Sequence, residues 1–485
     1  MTSPGSRPSH ELRTRLAAYA GLLAVAGAVV VTFLPGSFNA DTLDMCHQAV
    51  VDRYTDFHSP IIAGIWGFFD VPPEWIFGLT TVLFVLGTYG VLRATLSRPW
   101  AAIAAAIVTL SPFTLGWLSF VDKDVWLATA LLVCMSFLIK ARALPPGSPA
   151  RRAGLALAAV ALWFAVASRQ TAPISAFVVV LVLWPLPERL LALRRESRVL
   201  AVARRAALSA ALVLLVLASQ LLFNRVVVQP DRTLLAQGAI GVDLAALSIR
   251  VDEMLLPPAA LAPGTTLDTL RANYQVETGD QLYFANPPQL VLMGSQSAVD
   301  DLRDRWLDAI RAHPVAYAKQ KVKFGMALLG VSRPTFGVYG GRGSQPEEFG
   351  LRCPLDPTYE EGLWEVAHRQ LVKVENNGFG RPWIFALLGV GVLALAAVRR
   401  EQVTAALVLS GFASTVVFFA LSSSATFRYL WMMVVFVSIA LLGSLGRWPR
   451  FARADEHGGP AQPTSSSRPG ASPPGDPGAD RRTTA

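Results

Sequence analysis

Long apolar runs alternate with short charged stretches along this chain. Ten of the runs read as membrane helices, at about 16 to 34, 75 to 92, 99 to 117, 125 to 141, 152 to 167, 172 to 186, 206 to 223, 382 to 398, 402 to 421 and 427 to 445. A run of about 20 apolar residues, rising 1.5 Å each, spans a hydrocarbon core of roughly 30 Å. The pattern predicts an all-α polytopic membrane protein, a bundle of about ten transmembrane helices. Two segments break the rhythm. Residues 224 to 380, between helices seven and eight, are polar enough to fold outside the membrane as an α-rich domain. Helix signals run over Asp243 to Leu255 and over Ser297 to Gly330; Ser297 followed by Asp300 reads as a helix start, and the stretch is amphipathic enough to lie on the bilayer. After the last helix the tail, 447 to 485, turns Pro-, Gly-, Ser- and Asp-rich from 451 on and is expected to be disordered.

Lysine and arginine positions orient the bundle. Arg13 and Arg15 precede the first helix; Arg93 and Arg98, Lys140, Arg142, Arg151 and Arg152, then Arg189, Arg194, Arg195, Arg198, Arg204 and Arg205, and Arg399 and Arg400 fill every second loop. Arg447, Arg450 and Arg453 follow the last helix. The intervening short loops carry one basic residue apiece: Arg53, Lys123, Arg169 and Arg428. Both termini, residues 1–15 and 447–485, are therefore expected in the cytoplasm of a multi-pass cell-membrane protein, with helices one to seven over 16–223, an outer loop at 35–74, the extracytoplasmic domain at 224–380 and helices eight to ten over 381–446. A lone cation on the side that avoids cations calls for an anionic partner.

Composition agrees: 53% of the 485 residues are hydrophobic and 16% charged, where a soluble chain carries nearer 25% charge, and the mean hydropathy is +0.42. The net charge of +9 does not point to nucleic acid, because the basic residues lie between apolar runs rather than on one wet face. No Cys/His spacing resembles a zinc site. The first apolar run lacks a small-residue cleavage site and reads as a retained span.

The candidate chemistry is concentrated in GSFNADTLDMCHQAVVDRYTDFHSP, Gly36 to Pro60, which packs four aspartates and two histidines next to the first span. Asp41 sits where a lipid-linked head group would be presented; the plainer alternative is an N-cap for the helix beginning there. Asp44, Asp52 and Asp56 follow at spacings of eight and four and can share a helix face. His58 reads either as a hydrogen-bond donor to phosphate or as an ordered loop histidine. In the second outer loop, WLSFVDKDVW, Asp122, Lys123 and Asp124 lie between two apolar helices, where charge is costly and usually functional. Lys123 can pair with phosphate and Asp124 can orient it or bind a metal; an internally paired Asp–Lys turn is the alternative. Arg169 and Arg428 mark matching ends of other helices, and a guanidinium grips phosphate in a bidentate way. His313 and Tyr317, with Lys319, Lys321 and Lys323, read as a lipid anchor, and Trp306, Trp364 and Trp383 as interface belt or core.

This layout resembles the GT-C membrane glycosyltransferases, and among them the protein O-mannosyltransferases and lipid A aminoarabinose transferases. The shared features are a short cytoplasmic N-terminus, a long acidic first outer loop, a brief acidic second one and a late Arg428–Tyr429 at the start of a helix. Asp41 in FNADTLDM matches the family's catalytic aspartate; Asp56, His58 and Pro60 in DFHSP match its Asp-x-His-Pro-Pro element, with Ser59 replacing the first proline. Thr42 stands where the family often has Glu, and Asp44, one turn on, is the candidate second carboxylate. The resemblance implies catalysis by Asp41, Asp44 and Asp56. It implies a donor phosphate held by His58, Lys123, Arg169 and Arg428, with support from Asp122, Asp124 and Tyr429. It further implies a polyprenyl-phosphate sugar donor, contact with membrane lipid, a glycan, lipid or protein acceptor, and no nucleic acid. The resemblance fixes no cofactor and leaves a divalent metal open.

The charge pattern puts Cys46 and Cys353 on the oxidising side, where a disulfide would clamp the outer domain over the acidic loop with Cα atoms about 5.5 Å apart; two unrelated thiols are the alternative. Other functions have distinct signatures. A transporter or flippase would show internal repeats, and none is visible; an assembly protein would have no need of charges at four separate helix ends.

Overall fold

The computed structural model describes residues 7–185, 198–279, 281–331, 344, 346, 350–353, 361–376 and 381–446. The sequence readings on Arg189, Arg194 and Arg195, and on the tail from 447, fall outside them. Among the described residues the chain is helical, with isolated β-bridges and no strand. Among the described residues eight helices are long and apolar enough to cross a membrane, nine if a bent pair is counted as one span. The chain is thus a multi-pass membrane protein whose described spans are all helices, which satisfy every backbone group internally as a bilayer requires.

In chain order, α1 is Arg7–Phe33, α2 Ala40–Val51, α3 Pro60–Phe69, α4 Pro73–Leu92, α5 Arg98–Leu110, α6 Pro112–Leu118, α7 Lys123–Arg142, α8 Pro149–Ser168, α9 Ala172–Leu183 and α10 Arg198–Phe223. Then follow α11 (Ala236–Val251), α12 (Leu267–Asn273), α13 (Gln281–Phe284), α14 (Gln296–Ala312), α15 (Pro314–Leu328) and α16 (Glu361–Asn376). The last three are α17 (Pro382–Arg399), α18 (Gln402–Leu421) and α19 (Arg428–Leu445).

Several expected boundaries move, each for a local reason. The run expected at 99 to 117 is two helices, α5 and α6, bent by 66°; Pro112 lacks an amide donor and drives Ser111 to ψ 140. The sixth run stops at Leu183, and Arg205 from α10 donates to the carbonyls of Leu181, Val182 and Trp184, capping α9's orphan acceptors. The seventh helix runs through a π-helical turn to Val228, so the segment leading to α11 starts five residues later than expected. The helix expected from Ser297 to Gly330 breaks at Pro314 into α14 and α15, and its N-cap is Ser295, whose hydroxyl accepts from Ala298 N.

Helices α7 and α19 form the centre: 78% and 72% of their spans are buried, against 17% for α10. Both are apolar on every side, the signature of a helix surrounded by others. In lipid, close approach of backbones replaces the hydrophobic drive; at Gly411 an added Cβ would meet Met433 Cα at 3.0 Å, which seals α18 against α19. α11 to α14 gather around a second core that includes Leu244, Leu270, Leu282, Leu290 and Leu302. α16 packs Trp364 and Leu371 into the cluster of Phe33, Leu43 and Met45.

Candidate active site

The site lies at the end of the bundle where α1 and α8 finish and α7 and α19 begin. Gly36, at φ +99 with Val121 Cγ2 3.0 Å from where a Cβ would stand, lets the loop after α1 turn against the loop before α7. Ser37 N then donates to Ser119 O at 2.8 Å, and Val121 N to Ser37 O at 2.9 Å. This short bridge sets two helix starts side by side. Asn39 caps α2, its Oδ1 accepting from Thr42 N at 2.9 Å, and its Nδ2 donates to Asp122. Asp122 caps α7 in turn, accepting from Asp124 N at 2.6 Å. Asp41 is therefore not the cap, and its carboxylate is free for other partners. Asn39, the joint between the two caps, went unremarked in the sequence, although an Asx residue ahead of TLDM is an N-terminus signal.

Asp41 Oδ2 lies 2.9 Å from Lys123 Nζ and 3.0 Å from Arg428 Nη1. His58 stands behind it, with Nε2 3.9 Å from Asp41 Oδ1 and 3.7 Å from Asp44 Oδ2. Lys123 Nζ is 2.9 Å from His58 Nδ1; an ammonium only donates, so Nδ1 accepts and Nε2 carries the ring proton toward the two carboxylates. Lys123 thus pairs with the first loop rather than with Asp122 and Asp124. Arg169 pairs with Asp124 instead, its guanidinium stacked 4.6 Å from the Phe418 ring and 5.1 Å from that of Tyr429. The Tyr429 hydroxyl accepts from Arg428 Nη2 at 3.0 Å, so the Arg169 and Arg428 systems meet at this ring. Among the described residues, Arg428 Nε and Asp124 Oδ2 are buried without a hydrogen-bond partner.

Burial raises a carboxyl, but the Arg428 guanidinium and then the Lys123 ammonium outweigh it at Asp41 and hold the group well below the usual carboxylate range. At Asp44 burial prevails over the Gln48 hydrogen bond (2.6 Å), and its pKa rises. Burial first, then the Lys123 charge, pushes His58 down to about 3, so it is neutral at any physiological pH. Two neighbouring carboxyls driven in opposite directions are a frequent mark of divided acid–base labour. The starts of α7 and α19, each with a partial positive charge from its backbone dipoles, face the same point.

Asp56 is placed elsewhere. Its Oδ1 accepts from both Thr233 N and Thr233 Oγ1 at 2.6 Å, which ties the acidic loop to the segment after α10. Asp52 ends α2 in the left-handed region at φ 51. Cys46 and Cys353 are joined by a disulfide, Cα atoms 5.5 Å apart, while Cys134 is a buried thiol. Tyr317 and Lys321, read in sequence as a lipid anchor, bind Asp243 at 3.1 and 2.8 Å; the apolar approach of α15 to α18 carries both inward. Among the described residues no group of three His, Cys, Asp or Glu side chains is arranged to hold a metal ion; the carboxylate nearest the middle, Asp41, is already taken by two cations.

The chain is similar to a solved structure, that of the Archaeoglobus fulgidus oligosaccharyltransferase in complex with Zn and sulfate. The identity is 15% and the TM-score 0.39, over 88% of this chain and 49% of that one, so the chain spans about half that structure's length. No family model and no curated protein matches it.

Proposed function

We propose that the protein is a GT-C-type membrane glycosyltransferase that moves a sugar from a polyprenyl-phosphate donor to an acceptor on the extracytoplasmic side, with both termini in the cytoplasm. The observation that carries the reading is Asp41 held between Lys123 and Arg428, at 2.9 and 3.0 Å, where two central helices begin. Two cations and one carboxylate at a membrane surface are what phosphate departure and hydroxyl activation need together.

In this reaction the acceptor hydroxyl gives its proton to Asp41 as its oxygen bonds to the sugar's anomeric carbon. The bond from that carbon to the phosphate oxygen breaks, and polyprenyl phosphate leaves. The phosphate goes from one negative charge to two as the bond breaks, so Lys123 and Arg428 bind it more strongly in the transition state than in the ground state, which is what accelerates a reaction. Arg428 Nε, buried and unpartnered, has a donor to spare for the departing oxygen. Neutral His58 presents Nε2–H to the same space. Arg169 supports from one step away, through Asp124 and Tyr429, and Asp44 remains a second carboxyl within reach of His58. Asp56 is assigned to holding the loop.

The test is turnover by purified full-length protein supplied with a panel of polyprenyl-phosphate sugars, read as release of polyprenyl phosphate. Wild type is expected to release it from one donor, and Asp41→Asn to lose about 10² to 10⁴ in rate while retaining donor binding. Wild-type turnover by Asp41→Asn, or no release from any donor, contradicts the proposal.

A further inference from the structure

Arg169 and Tyr429 face the charged cluster on one side and a second space on the other. That space is a cavity of about 480 Å³ between Phe57, the segment from Thr233 through the start of α11, Trp306 of α14 and the end of α18. Small-molecule sites run from about 300 to 1,000 Å³. Two of its walls decide what it takes.

Asp243 is the carboxylate in the wall, with 17% of its side chain exposed. Tyr317 Oη donates to its Oδ2 at 3.1 Å and Lys321 Nζ to its Oδ1 at 2.8 Å, so it is fixed in place yet retains acceptor capacity, a carboxylate having about four lone-pair positions. Lys321 is held in turn by the carbonyl of Ala420, at the end of α18. Opposite in character, Trp306 offers an aromatic surface set edge-to-face on Tyr317, with ring centroids 6.4 Å apart, and its indole N–H is buried with no hydrogen-bond partner among the described residues. Each charge here is matched, Asp243 by Lys321 and Arg169 by Asp124. An anionic ligand would find no uncompensated cation, and a purely apolar one would leave the spare acceptor positions of Asp243 and the Trp306 N–H unused.

We infer that this cavity binds a sugar ring, with Asp243 accepting from ring hydroxyls and Trp306 supplying an aromatic face and a donor. The ring has both the hydroxyls and the apolar C–H face that this pairing requires. The inference rests on the proposed transferase function only for the origin of the sugar, which belongs either to the donor or to the acceptor.

Saturation-transfer NMR on the full-length protein in detergent, with methyl pyranosides and furanosides of the common hexoses and pentoses, tests it without turnover. At least one glycoside is expected to bind. Trp306→Phe, which retains the aromatic face and removes the N–H, and the paired change Asp243→Asn with Lys321→Gln, which leaves no unpaired buried ammonium, are each expected to weaken it about tenfold or more. Trp75→Ala, at an exposed tryptophan of α4, is the control expected to bind as wild type does. A polyprenyl phosphate bearing the same sugar displaces the glycoside if the cavity holds the donor's ring and leaves it bound if the cavity holds the acceptor's. Because binding is read alone, an absence of transfer leaves this result standing. No binding by any glycoside, or equal binding by wild type and both variants, overturns the inference.

Discussion

Asp41 and Arg428 stand 387 positions apart in the chain and meet at 3.0 Å, Oδ2 to Nη1, with about a fifth of the aspartate side chain exposed. The contact joins the first helix after span one to the start of the last span. Removing one member of such a buried pair strands the other, at roughly 3–5 kcal/mol. Arg428→Met is therefore expected to lower the detergent melting temperature clearly, and Arg428→Met combined with Asp41→Asn to lower it less than Arg428→Met alone. A double-mutant cycle with additive losses would mean the two side chains are not coupled.

The same pairing makes a prediction about pH. In the free protein the two cations hold Asp41 well below the usual carboxylate range, so its ionisation imposes no acid limb on kcat/KM at mildly acidic pH. When donor phosphate takes up Lys123 and Arg428, the carboxylate loses partners and its pKa rises. The acid limb of kcat, which reports the bound state, is expected at higher pH than that of kcat/KM. Coincident limbs in the two profiles would speak against an exchange of partners.

His58 sets a stability trend of its own. Held neutral in the fold with its pKa down at about 3, against an ordinary value of 6.5, it takes up a proton more readily in the unfolded chain. Folding stability falls as pH drops below about 6.5, and the loss continues toward 3. His58→Gln is expected to flatten the melting temperature between pH 6.5 and 5 relative to wild type. Parallel curves for the two proteins would show that the imidazole does not titrate in that way.

The Cys46–Cys353 bridge joins residues 307 positions apart, and the loop it closes contains four of the eight described spans. Its loss is expected to cost a few kcal/mol, below the about 6 that a chain-entropy argument gives for so long a loop, since measured disulfide contributions usually fall short of that relation. Non-reducing peptide mapping of protein from intact cells should recover the linked peptides, and reductant should lower the melting temperature. Two free thiols would remove the bridge from the account.

Much of this was readable in the chain, for identifiable reasons. Spans such as α7 and α19 announce themselves because lipid demands long apolar helices, and Lys123 and Arg428 were conspicuous as lone cations where cations are sparse. What the sequence did not reveal was partnership. Lys123 has two aspartates as immediate neighbours, yet helix geometry turns it to Asp41 and His58, and Asp122 is spent on capping. Asp56 looked like part of the acidic set until Thr233, 177 residues on, engaged its carboxylate. Pro112 signals the bend at Ser111, but the unbroken apolar run around it reads as one helix. Asp243 and Trp306, 63 positions apart, share a cavity wall only through the tertiary packing of α11, α14 and α15, which periodicity alone does not encode.

The most direct measurement of the central claim is a structure of the full-length protein with a polyprenyl phosphate bound. Phosphate density is expected between Lys123 and Arg428, with the Arg428 guanidinium drawn off Asp41 onto it and the Asp41 carboxylate facing the space where an acceptor hydroxyl would enter. Phosphate bound elsewhere, with the Asp41–Lys123 and Asp41–Arg428 contacts intact, would contradict it.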